Sequence, residues 1–291
     1  MLEAIIFTAA TGILWMLVGA VYSHATERTE NLPGFLFCYS VFFALFIFLF
    51  QTPELPEKAI SLLPVAIPMI LSSFFAQTGF LALYMAMRNI SHSVAWIFTQ
   101  SAMAIPFLGA WLLFGDPVNP VNWIGFVLLT AALVVLGRST QPSSGGKSVK
   151  SGIIWSITAL LLTGISQLLT LVPNEMELSP AVMSWRLPFF SLAGALFYLI
   201  AIIIKRTGFS RQEVKWGIIY GTTVSCGQIT LYKAIDACGK LDLSNAVYPA
   251  AISLCIVLFT VYCNIFRREK LSLTTIAALL TMVTAVIMLF I

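Results

Sequence analysis

Charge is scarce in this chain. Only 10% of its 291 residues are Asp, Glu, Lys or Arg, against about 25% in an ordinary soluble domain. A water-soluble body of this size needs charge to cover its surface. The shortage therefore excludes a soluble enzyme, a nucleic-acid-binding protein and a receptor with a folded ectodomain. Histidine is scarcer still, with only His24 and His92. The five cysteines (Cys38, Cys226, Cys238, Cys255, Cys263) contain no CxxC pair. Disulfides and a metal site are not expected, and small buried thiols are. No GxxxxGK[ST] sequence occurs, so ATP-driven transport is unsupported. Paired catalytic acids and a nucleophile–base couple are missing too, which argues against an enzyme and against a bound cofactor. What the chain has in quantity is apolar surface, with 59% hydrophobic residues and a mean hydropathy of +0.95.

A helix needs about 20 apolar residues to cross a bilayer. The apolar runs place ten spans at 4–23, 32–50, 60–87, 90–114, 121–137, 152–172, 180–204, 214–235, 243–266 and 271–291. Their continuous apolarity, without alternation, predicts helices and argues against a barrel. The run from Ala4 to Ser23 has Glu3 and no basic residue before it, so it is expected to be a retained span and not a signal peptide. Prolines 64 and 68 are expected to break the third helix, Pro106 the fourth, Pro188 the seventh and Pro249 the ninth.

The longest polar stretch lies mid-chain and divides the sequence into 1–137, a linker over 138–151, and 152–291. Landmarks recur across the divide: Leu83-Tyr84 with Leu231-Tyr232, Ala86 with Ala234, Pro33 with Pro180, and Asp116 with Glu269. Five spans is an odd number, so the second half must enter the membrane in the opposite sense. The expected fold is all-α integral membrane, built as two inverted five-helix repeats with a substrate site near the midplane. All but four of the 16 basic residues fall in odd-numbered loops, the four being Lys58, Lys240, Arg186 and Lys233. The positive-inside rule then puts the odd loops in the cytoplasm and both termini outside, in the cell (inner) membrane.

The run Leu83-Tyr84-Met85-Ala86-Met87-Arg88-Asn89-Ile90 before the fourth helix, and Phe114-Gly115-Asp116 closing it before a fifth helix that contains Gly125, resemble the drug/metabolite transporter superfamily and its ten-helix EamA-like members. The resemblance implies a secondary transporter with a central cavity lined mainly by the third, fourth, eighth and ninth helices. It also implies peripheral fifth and tenth helices. The fourth helix closes here with Asp116, where the family commonly has Gly-Glu. The outside termini are similar to what is expected of sugar-uptake branches such as the rhamnose–proton symporter, and they tilt the reading towards uptake of a polar metabolite.

Polar groups at membrane depth are the candidates for the site, because each is costly to bury in lipid. Trp15, Gln77, Tyr84, Trp96, Gln100, Gln167, Arg186, Gln228, Tyr232, Asn245 and Tyr248 form the expected substrate-binding set. Amides satisfy hydroxyls and aromatic faces pack on sugar C–H groups; interhelical bonding and interfacial belts are the alternative roles. Arg186 either holds an anionic or hydroxyl-rich substrate or pairs with a helix end. His92 and Asp236 are candidates for proton coupling, against a polar helix start for the first and an ion pair with Lys233 for the second. The expected function is alternating-access transport of a sugar or sugar-like compound. Export of amino acids or related metabolites is the alternative, and a non-transporting sensor or assembly factor the alternative from another class. A small-molecule substrate, protons and membrane lipid are the expected partners of a monomer that binds no nucleic acid.

Overall fold

A long apolar run in lipid satisfies its backbone only by bonding along itself as a helix, and helices are what form. The computed structural model describes residues 1–29, 31–50, 53, 59–115, 119–139, 148–176, 178–206, 208, 210–239, 244–269 and 272–288. No β-strand occurs among them. Helices fall on every expected span: α1 (Leu2–Arg28), α2 (Leu32–Phe50), α3 (Leu63–Met87), α4 (His92–Phe114), α5 (Pro120–Ser139), α6 (Val149–Leu171), α7 (Pro180–Met183 and Arg186–Lys205), α8 (Arg211–Gly239), α9 (Ser244–Phe266) and α10 (Leu273–Met288). Six of these, α1 to α4 with α6 and α7, are long and apolar enough to cross a membrane. Shorter apolar stretches lie in α5, α9 and α10. The chain is an all-α, multi-pass membrane protein. Residues 140–147 of the expected linker lie outside the described residues.

The prolines act according to position. Pro106 has no N–H to offer the Ala102 carbonyl, and α4 tightens into a 3-10 turn over Ser101–Met103. It resumes as an α-helix over Ala104–Gly109 and ends in a π-turn over Ala110–Phe114. Pro188 likewise cannot bond the Ser184 carbonyl, and α7 is interrupted at residues 184–185. Pro64, expected to break α3, sits in its first turn, where a missing N–H costs nothing. Pro68 is carried inside α3 without a break, and α9 runs through position 249 as helix.

Hydroxyls inside the helices bond back to their own turns, as Thr11 does to the Phe7 carbonyl (2.8 Å) and Thr260 to that of Ile256 (2.8 Å). Packing couples helices far apart in sequence. α1 lies along α8 and α9, and α6 lies along α3 and α4. α2 packs on α8 and α7, α3 on α7, and α5 on α10. Close approach needs small residues. At Gly19 of α1 a Cβ would sit 2.9 Å from both the Trp96 and Phe259 rings, so only glycine lets α1 into the corner between α4 and α9.

Candidate functional site

At the odd-loop end of the bundle, the described part of the turn after α9 is tied by charge to the end of α1 and the start of α4. Glu269, in the turn after α9, points its carboxylate at the start of α4. It accepts from the backbone N–H of His92 (2.7 Å) and of Ser93 (3.2 Å), and from the Ser93 hydroxyl (2.5 Å). Those N–H groups belong to a first helical turn and have no partner within the helix, so an acid from the other half of the chain caps α4. The turn that delivers Glu269 passes through Arg268 in the left-handed region, at φ 56°. Next to it Arg267 pairs with Glu27 of α1 and lies 3.2 Å from Nε2 of His92. A guanidinium only donates, so Nε2 of His92 accepts and the neutral ring carries its proton on Nδ1. His24 stacks on Trp216 of α8 with centroids 6.1 Å apart, and the Arg28 guanidinium lies 5.8 Å from the same indole. We call this group, drawn from α1, α4, α8 and the turn after α9, the clasp.

A second tie lies on the other side of the same end. The Asn31 side chain donates to the Gly208 carbonyl, and its backbone N–H to Glu213 (3.4 Å), which also accepts from the Ser210 N–H. Burial alone would raise the Glu213 pKa. The hydrogen bonds from Ser210 and Asn31 outweigh it and hold the carboxyl below its ordinary value.

About 10 Å further in, by helical rise, four buried tyrosines from four helices form a layer: Tyr22 (α1), Tyr39 (α2), Tyr198 (α7) and Tyr220 (α8). The Tyr39 and Tyr220 rings lie 4.8 Å apart, and those of Tyr22 and Tyr220 5.6 Å. Tyr22 donates to the Phe80 carbonyl (2.5 Å) and Tyr198 to the Gln77 carbonyl (3.0 Å), so both pin α3; the buried Tyr220 hydroxyl has no partner. None of the four was singled out from the sequence. Phe35, Tyr39 and Phe43 at four-residue spacing on α2 was the available signal.

The expected site residues distribute over several places. Trp96 is 3% exposed and wedged against Phe259 (5.2 Å between centroids) and Gly19, next to the Cys255 thiol. Four residues on, Gln100 is half-buried and ends the first segment of α4, at the break. Gln167 of α6 is half-buried with its side-chain oxygen enclosed and unpartnered. Trp15 is half-buried at the α1–α8 crossing, where a Cβ at Gly227 would lie 3.0 Å from its ring; Gln228 follows that glycine and is half-buried.

Gln77 lies in a polar nook between α2, α3 and α7. Its amide nitrogen lies 3.5 Å from the Ser73 hydroxyl, and its side-chain oxygen has no partner. The nook exists because residue 194 is glycine; a Cβ there would meet the Gln77 amide at 2.7 Å and the Ser40 hydroxyl at 3.2 Å. Arg186 donates to the Thr170 carbonyl (2.6 Å) at the end of α6, the helix-end pairing weighed from the sequence. Tyr84 is at the odd-loop end, where its hydroxyl accepts from Arg88 (3.1 Å). Lys233 is exposed, its ammonium 5.6 Å from the Phe7 ring. The side chains of Tyr232, Asp236, Asn245 and Tyr248 lie outside the described residues.

No family model matches the chain. Among similar curated proteins are the spermidine export proteins MdtI of Salmonella paratyphi B (strain ATCC BAA-1250 / SPB7) and Salmonella newport (strain SL254). Each is 35% identical over 68 residues, which is 23% of this chain. The chain spans 62% of the length of these relatives. One crystallographically solved chain superposes with a TM-score of 0.62 over 97% of this chain and 95% of its own length. At 15% sequence identity, that likeness is one of fold.

Proposed function

We propose that this membrane protein is a secondary transporter that moves a small polar metabolite by alternating access between two inverted five-helix halves, 1–137 and 152–291. The reading belongs with the drug/metabolite transporter superfamily that the sequence resembles. Exchange of the halves maps α1 on α6, α2 on α7, α3 on α8, α4 on α9 and α5 on α10. Under that exchange the contact of α1 with α8 becomes that of α6 with α3, α1 with α9 becomes α6 with α4, and α2 with α8 becomes α7 with α3. The pairs α2 with α7 and α5 with α10 map on themselves. All these pairs occur, which supports a two-fold relation between the halves; the odd number of spans in each half is the argument for inversion.

The clasp is the observation that carries the mechanism. It joins α1 and α4 of one half to α8 and the α9–α10 turn of the other at the odd-loop end, directly under Trp96. In this reading it is the closed gate on the cytoplasmic side, and the site lies beyond it at the break in α4. Broken helices suit a binding site because their free backbone groups are tolerable only where they line protein or water. Gln100, Gln167 and Gln228, with Trp15 and Trp96, form the amphipathic lining. Amides and indoles favour a neutral hydroxyl-rich compound, a sugar or sugar-like metabolite. His92 sits in the gate and Asp236 near the other end of α8, which makes both candidates for coupling to protons. The orientation adopted has odd loops in the cytoplasm and both termini outside, in the inner membrane, with the monomer as the working unit.

A second substrate class is favoured by the relatives' names, which speak of spermidine export. A polyamine would use the aromatic faces in place of the amides. Thermal-shift and proteoliposome counterflow assays with sugars, amino acids, organic acids and spermidine at two pH values test both. Sugar-dependent stabilisation and exchange, lost in Gln100→Ala and Trp96→Ala, supports the first reading, and a response to spermidine alone replaces it with the second. Absence of saturable exchange for every compound would leave a non-transporting sensor or assembly factor.

A further inference from the structure

The outer face of α8 near its first turns presents an open, shallow groove lined by Ser210, Arg211, Val214, Lys215, Ile218 and Ile219. Positions 211, 215 and 218 recur at helical spacing on one face. Along the axis this face is basic first and apolar after, over roughly 12 Å from Arg211 to Ile219. Arg211 and Lys215 are exposed, and among the described residues neither is in an ion pair. The acid of the same stretch, Glu213, is turned inward at 3% exposure and is occupied by the N–H groups of Ser210 and Asn31. Trp216, with the Lys215 ammonium 5.9 Å from its ring, is the kind of residue that marks the depth of the membrane interface.

We propose that this groove binds an anionic phospholipid, with the phosphate diester between Arg211 and Lys215 and an acyl chain along Val214, Ile218 and Ile219. The charge selects the headgroup: a zwitterionic lipid brings its own ammonium against two cations, whereas an anionic one is held by both. The apolar half of the groove selects a lipid over a free phosphate, which would leave Ile218 and Ile219 unused. The proposal rests on the reading that α8 crosses the membrane with its first turns at the odd-loop interface.

The test is native mass spectrometry of the full chain released from micelles that contain phosphatidylglycerol and phosphatidylcholine in equal amounts. Phosphatidylglycerol retention at least tenfold above phosphatidylcholine is expected. Arg211→Gln with Lys215→Gln should lower it at least fivefold, and so should Ile218→Asn with Ile219→Asn, which leaves the charges in place. Arg138→Gln with Lys150→Gln removes equal charge at the same end and should leave retention unchanged. Equal retention of the two lipids, an unchanged adduct in the Arg211/Lys215 variant, or displacement of the lipid by millimolar inorganic phosphate would overturn the site. Single cysteines at 210, 214 and 218 in vesicles, labelled with a water-soluble maleimide, test the membrane placement separately. Equal labelling at all three overturns the placement, whereas protection at 218 without lipid retention overturns only the lipid site.

Discussion

At the scale of single residues, the acids of this chain act as caps and ties. Glu269 satisfies two first-turn N–H groups of α4 from the opposite half. Glu269→Ala is expected to lower stability by about 1 kcal/mol, the usual cost of a lost N-cap, measured by denaturant unfolding in micelles. Glu213 gives a pH dependence whose sign follows from its lowered pKa. A carboxyl held below its unfolded value of 4.5 contributes stability in full above that pH, and the contribution fades as pH falls through the folded value. The melting temperature should therefore hold from pH 7 to about 5 and fall more steeply below about 4.5 in the wild type than in Glu213→Gln. Arg186, bonded to the Thr170 carbonyl, already has a partner that a substrate would have to displace.

Elements bend where proline withdraws a donor and pack where glycine leaves room. The turn at Ser101–Met103 follows from Pro106 and puts an irregular segment beside Gln100. Pro106→Ala restores an N–H to the Ala102 carbonyl. It should leave thermal stability unchanged or higher while slowing counterflow, as expected if the bend serves transport. Gly194 holds open the nook filled by the Gln77 amide. Gly194→Val should cost about 1–3 kcal/mol as an overpacked contact. Gln77→Ser in the same chain should recover part of that loss, a non-additivity that a double-mutant cycle reads directly.

For the whole molecule, the proposed alternating access requires each end to open in turn. The clasp and the tyrosine layer lie in succession at the odd-loop end, the first held by charge and the second by buried rings. If that end must open in each cycle, a chain with its five native cysteines replaced and carrying Ser93→Cys with Glu269→Cys, bridged by a short bifunctional thiol reagent, should lose counterflow. Binding measured by thermal shift should persist if, as proposed, the bridged state leaves the site open to the other side. Transport that continued at the wild-type rate after bridging would remove the clasp as a gate.

The sequence by itself determined the helices. Long apolar runs in a chain with little charge have one way to satisfy their backbones in lipid, and Pro106 and Pro188 gave two of the interruptions because a missing N–H acts locally. His92 and Gln100 could be singled out because polarity at membrane depth is legible residue by residue. Pairing was not legible. That Glu269 would reach α4 across 177 residues, that Arg267 would join Glu27 and His92, and that Gln77 would turn to Gly194 depend on which helices touch. The tyrosine layer was hidden for the same reason: Tyr22, Tyr39, Tyr198 and Tyr220 each look like one more apolar residue in an apolar span. Only packing brings four phenols from four helices together, because contact between distant segments is decided by the shapes of whole helix faces and not by composition along the chain.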